Sequence, residues 1–390
     1  MNETKWLTGT DGEAMLEFVA ERLSPRQWVL LAAAFTRRLW DLFPDGVLRQ
    51  ALDFAERATH PLPTSMQSEW QSKIDASIPT AVGAAEAAQR EIVRSCDPDA
   101  ADLDQPVLSR PNQIAPAFPL FQAASRNARN SIEWIADALT AGVQGVRTLF
   151  TEPNEEMFGL VRQHVDQAAE TRTNANRAAN NALRMKQEGD ELADRAASSK
   201  NKRIEESIAL EKVRKMEEGS RGGDFDAEEK RDRAARKLLA QYLREIVGNP
   251  FTPPRFEPAW RTTTVVQLAQ GIFDDRAFDR LVILADALLD ADCDEEPVLR
   301  HCRGTELHAN KEPVPHVRGC WVIELILGRY EPLPPEKPGK KPRPKRRRDP
   351  FDDLDLGFPL DLGDDKLAGL YWATPTRQRR GGSARTPTRR

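Results

Sequence analysis

SPRQWVLLAAAFTRRLWDLF, residues 24–43, carries a helix in its spacing. Ser24-Pro25 has the chemistry of an N-cap followed by a first helical position: a side-chain oxygen for an orphan amide, then a residue whose missing N–H is not needed. Trp28, Leu31, Phe35, Leu39 and Leu42 recur at intervals of three and four, which lines them along one helix face, and Trp40 and Phe43 widen the stripe. The same period lies on either side. Met15, Leu16, Phe18, Val19 and Leu23 precede it, and Val47, Leu48, Ala51, Leu52, Phe54 and Ala55 follow the turn Pro44-Asp45-Gly46. The expectation is an all-α chain.

Outward from this stretch the composition changes in blocks. Residues 1–62 form an N-terminal helical block. In 63–152 alanine dominates, and helices are expected at 81–93 and 118–150, the second with Trp134, Ile135, Leu139, Val143 and Val146 on its packing face. Between them 97–116 holds four prolines and reads as a loop. Residues 153–223 favour helix by propensity but offer little to bury. A narrow seam of Ala175, Ala178, Ala179, Ala182, Met185, Leu192, Ala193 and Ala196 suits a long solvated helix or an alanine-type helical hairpin. A strong coiled coil would place Leu, Ile or Val at most positions of that seam, and apart from Leu192 these are missing until Ile204, Ile208 and Val213. In 227–330 a helix with Leu238, Leu239, Tyr242, Leu243, Ile246 and Val247 stops at Gly248-Asn249-Pro250, and further helices are expected at 265–273, 278–289, 298–302 and 316–327. Pro-rich, charged 331–390 reads as a disordered tail. Trp6, Trp28, Trp40, Trp260 and Trp321 are the expected buried anchors of one body built from the N- and C-terminal blocks.

Charge is distributed unevenly. The net charge is −4, but Lys337–Arg390 carries +8 and the preceding residues −12. With 30% charged and 39% hydrophobic residues, the chain builds cores along only part of its length. Four cysteines in 390 residues are no disulfide framework. The start has no apolar signal-peptide core, and the longest apolar run, 28–35, is far short of the roughly 18 residues of a membrane span. A soluble, cytoplasmic protein with reduced thiols and no membrane partner is expected.

A second stretch, ADALLDADCDEEPVLRHCRGTELHANKEPVPHVRGCWVIELILGRY (285–330), holds three of the four cysteines and three of the five histidines. Thiolates and imidazoles are zinc ligands, which makes Cys293, Cys302, His316 and Cys320 the candidate set and His301 and His308 further donors. His316 and Cys320, four apart, would share a helix face. Against zinc, no C-x2-C pair is present, and Trp321, Val322, Leu325 and Ile326 mark the last helix as core. The pattern favours buried or capping roles. A nucleophilic Cys320 with His316 as base, in a field set by Arg303 and Arg318, lacks a third orienting group. Asp274-Asp275-Arg276 to Arg280 reads as a solvated ion-pair face. No P-loop, GxGxxG, HExxH or GxSxG pattern is present.

Two blocks also resemble an uncharacterised helical family abundant in planctomycete bacteria. One is WLTGTDGEAMLEFVAERLSPRQWVLLAAAFTRRLW (6–40). The other runs from NPFTPPRFEPAW (249–260) through VVQLAQGIFDDRAFDRLVILADALLDADCD (265–294) to HCRG and HVRGCWVIELILG (316–328). Together they span about a third of the chain. Phe35-Thr36 stand where the relatives carry a Cys-Cys pair, so a site combining both blocks would lack its N-terminal thiols, and residues 305–315 are an insertion. The resemblance implies a helical fold and no activity.

The basic run Lys340, Lys341, Arg343, Lys345, Arg346, Arg347 and Arg348 would neutralise phosphates, although the acidic block after it competes. That block alternates Asp with Phe and Leu, as partner-docking tails do. These features favour a non-enzymatic protein-interaction module of the bacterial cytoplasm, needing no cofactor and binding another protein. The alternatives are a nucleic-acid-associated protein using the basic tail, and a zinc- or thiol-dependent enzyme at the Cys/His block.

Overall fold

The computed structural model describes residues 1–44, 46–58, 61–94, 115–198, 201–221, 225–304 and 316–335. Among the described residues are thirteen α-helices and no strand. Short helices form the N-terminal block: α1 (Glu3–Thr8), α2 (Gly12–Val19), α3 (Pro25–Thr36) and α4 (Val47–Arg57). Long ones follow: α5 (Thr64–Arg94), α6 (Phe118–Thr148), α7 (Glu155–Ser198), α8 (Lys202–Arg221) and α9 (Phe225–Val247). The C-terminal block contains α10 (Thr263–Asp275), α11 (Leu281–Asp290), α12 (Glu296–Cys302) and α13 (Trp321–Ile326). None of the described helices is long and apolar enough to cross a membrane.

Helix α3 starts as its sequence dictates. Ser24 Oγ accepts from the Gln27 amide and Gln27 Oε1 accepts from the Ser24 amide, a reciprocal capping box with Pro25 at the first position. Its stripe then enters the main core. Phe35 meets Phe158 of α7 edge-on at 5.6 Å and Tyr242 of α9 at 5.3 Å, so one side chain joins three helices. Phe54, Trp70 and Phe150 stack to tie α4 and α5 to the end of α6.

The predicted alanine seam is buried. Ala175, Ala178, Ala179, Ala182 and Met185 of α7 face α6, where Ala123, Ala124 and Ala128 are equally buried. Each such methyl contributes on the order of 0.8 kcal/mol, so the pairing rests on its length. The Lys212–Glu188 ion pair at 2.6 Å joins residues equidistant from the α7–α8 connection, which makes the two a hairpin. The alanine seam itself is buried rather than solvated, and it packs on α6 rather than inside that hairpin.

A second core belongs to the C-terminal block and gathers Trp260, Val265, Ile272, Phe273, Leu284, Leu288, Val298, Trp321 and Val322. Three polar joints fasten it to the N-terminal block. Trp6 Nε1 donates to the Gly248 carbonyl at 2.9 Å. Buried Arg26 forks onto both carboxylate oxygens of buried Glu324 at 3.0–3.1 Å. Buried Glu56 accepts from Arg37 and Arg276 at 2.6 Å and from Arg318 at 3.0 Å, while Asp53 accepts from Arg37 and Arg318. The two motif blocks thus form one body.

Several expectations change. Trp134, expected on the packing face of α6, is exposed. Helix α5 begins at Thr64, not 81, and runs through Pro79; Ile74 and Ala81 lie buried two turns apart on one face, so packing carries the helix across the missing amide. Trp40 is half-buried, with Arg37 and Arg49 against its ring at 4.0 and 4.8 Å. Asp274 to Arg280 is no single charged helix face. Helix α10 ends at Asp275, Arg276 turns left-handed at φ 56°, and its guanidinium goes to Glu56. The helix expected at 316–327 is only α13. Readings of 97–114, 305–315 and 336–390 lie outside the described residues.

Candidate metal centre

Four side chains from three elements converge where the C-terminal block meets α9. Glu245 lies near the end of α9, which Gly248 closes in a left-handed conformation at φ 71°. His301 is the penultimate residue of α12, and Cys320 is the N-cap of α13. His316 precedes a tight turn in which the Cys320 amide donates to the Val317 carbonyl at 3.0 Å. That turn needs Gly319: its φ is +98°, and a Cβ there would stand 2.9 Å from Leu30. The sequence placed His316 and Cys320 on one helix face; the turn brings them together instead.

The donor atoms of Glu245, His301, His316 and Cys320 all lie within 4.8 Å of one another. His316 Nδ1 is 3.0 Å from Glu245 Oε1, His301 Nε2 is 3.2 Å from Cys320 Sγ, and His301 Nε2 is 3.5 Å from Glu245 Oε2. Neighbouring ligands of a tetrahedral zinc, with bonds of about 2.0–2.3 Å, stand roughly 3.3–3.8 Å apart. These three pairs are already near that spacing, and every pair lies within 4.8 Å. Glu245 and Cys320 are fully buried, His301 nearly so, and His316 keeps 18% of its side chain exposed. The His301 ring packs against the rings of His316 at 5.1 Å and Trp321 at 5.2 Å.

The electrostatics fit a cation. Burial by itself would raise the Glu245 carboxyl, but the two histidines and hydrogen bonds from His316 and Cys320 hold it below the ordinary range. Its Oε2 nevertheless has no hydrogen-bond partner, a costly condition for a buried carboxylate oxygen. Burial and the Glu245 charge push the Cys320 thiol well above its ordinary value. Such a thiol is a poor nucleophile by itself, and Arg318, expected to activate it, is turned away onto Glu56 and Asp53.

Of the candidates read from the sequence, His316 and Cys320 are brought together and His301 joins them. Cys293 and Cys302 are not in the cluster: both are buried in the C-terminal core, Cys293 just past α11 and Cys302 at the end of α12. His308 and the basic residues 340–348 lie outside the described residues. Glu245 was missed. Its signal was a carboxylate three positions after Tyr242 and seven after Leu238, on an otherwise apolar stripe of α9. No protein-family model, curated protein or solved structure matches this chain.

Proposed function

We propose that the protein is a non-enzymatic, protein-binding helical scaffold whose C-terminal block is fastened to α9 by a structural zinc ion. The observation that carries the zinc is the four-donor cluster of Glu245, His301, His316 and Cys320, three of the four buried. Two imidazoles, a thiolate and a carboxylate complete a four-coordinate shell. Catalytic zinc keeps one position open for water or substrate, and four protein donors leave none, so a holding role is the better supported one. The ion would neutralise the Glu245 carboxylate, engage its orphaned oxygen, and deprotonate Cys320 despite the burial that opposes it.

Metal analysis of the full-length protein purified without chelator tests this. The expected result is one zinc per chain, and a thiolate-to-metal charge-transfer band after exchange with Co²⁺. Cys320→Ser should abolish the band and Cys302→Ser should leave it. A metal-free protein whose melting temperature is unchanged by added Zn²⁺ would refute the zinc.

A further inference from the structure

Helix α11 is apolar on two sides. Leu281, Leu284, Ala285 and Leu288 are buried between α10 and α12. On the opposite face Val282 is 52% exposed, Ile283 56% and Leu289 41%. Residues 282, 286 and 289 follow one another at intervals of four and three, and Ile283 and Asp290 flank them. This is the spacing by which one helix receives another along a seam. Elsewhere on short helices exposed aliphatics are scattered singly; here three share one face with nothing described packed on them.

The charge on this face selects its occupant. Asp286 sits at the centre of the aliphatic arc, with Asp290 beside it and Asp279 at its N-terminal end, all three exposed. None has an ion-pair partner among the described residues; the nearest base in sequence, Arg280, is 3.9 Å from Asp275. A second copy of this chain docked face to face would oppose Asp286 with Asp286, and like charges across an interface are costly. Anionic lipid and nucleic acid are repelled for the same reason. A basic amphipathic helix suits the face: its Leu or Ile side chains cover Val282, Ile283 and Leu289, while a Lys or Arg reaches Asp286 with its aliphatic stem along the seam.

We infer that the exposed face of α11 is a docking surface for a basic amphipathic helix of a partner protein. The inference rests on the protein-binding reading above and not on the zinc. With only ten residues in α11, the contact is small beside the ~1,600 Å² of a standard interface, so the association is transient.

Fluorescence anisotropy tests it with the full-length protein and a labelled 14-residue Leu/Lys amphipathic peptide, with a Leu/Glu peptide of the same pattern as its counterpart. The Leu/Lys peptide should bind saturably and the Leu/Glu peptide should not. Asp286→Lys should weaken Leu/Lys binding by at least about tenfold and confer binding of Leu/Glu. Ile283→Ser with Leu289→Ser should also weaken it, which separates docking from attraction to the acidic body. These side chains are exposed, so melting temperatures should stay at the wild-type value. Absence of binding, or binding indifferent to these variants, overturns the surface. So does a dimer in sedimentation that Ile283→Ser dissociates. Each result leaves the metal analysis unaffected, so the two proposals fail separately.

Discussion

Glu56 shows why the joint between the two blocks is strong and brittle. One nearly inaccessible carboxylate is shared by Arg37, Arg276 and Arg318, and two of those arginines also hold Asp53. Removing one member leaves the others buried without compensation. Glu56→Gln is therefore expected to cost about 3 kcal/mol in a urea denaturation, far more than a surface ion pair. Asp53 gives the joint its pH dependence. Burial would raise its carboxyl, but hydrogen bonds and charge from Arg37 and Arg318 win and hold it below the ordinary 3.8. Its contribution is complete above the unfolded value and is lost as pH falls through the lower folded one. The stability gap between wild type and Asp53→Asn should accordingly be constant from pH 7 to 5 and close below pH 4, as followed by thermal melts. None of these partners could be paired from the sequence. Arg37 and Arg318 are far apart in the chain, and pairing of charges is a property of the surface on which they meet.

Periodicity located most helices and misjudged their limits. Helix α3 was legible in its cap and stripe, which are local, but not in its end: it stops at Thr36, and Arg37–Leu42 tighten into a 3-10 helix before the turn at Pro44. Helix α5 was read short, from 81; its first half carries Pro79, a residue that locally breaks helices and that burial of Ile74 and Ala81 overrides. The opposite error occurred at 316–320, where helical spacing of His316 and Cys320 invited one helix, but Gly319 must enter the left-handed region to pass Leu30. The seam of α7 was legible as a pattern, though not as a buried one. Its alanines mark close approach to α6, so volume is what the seam cannot absorb. Ala179→Leu should destabilise by roughly 1–3 kcal/mol through overpacking. Leu183→Ser, at an exposed position of the same helix, should stay within about 0.5 kcal/mol. Circular-dichroism melts of the two variants compare them directly.

For the molecule as a whole, charge asymmetry separates what the body and the tail can bind. Residues before Lys337 carry −12 and those from Lys337 onward +8. Any nucleic-acid affinity of the full chain should therefore reside in 340–348, fall steeply between about 50 and 200 mM salt, and vanish on truncation after Glu336. Filter binding at both salt concentrations checks this, and salt-insensitive or truncation-resistant binding would contradict it. The sequence by itself determined the all-α class, the N-terminal stripe, the stop at Gly248 and the gathering of cysteine and histidine in one block. These follow from backbone geometry and composition, which act over a few residues. Only the tertiary structure decided which donors meet. It drew Glu245 from a helix 56 residues upstream of His301, left Cys293 and Cys302 out, and joined the two blocks through Glu56. Ligand sets and ion networks depend on distances across packed elements, and those distances are fixed by burial and shape rather than by position along the chain.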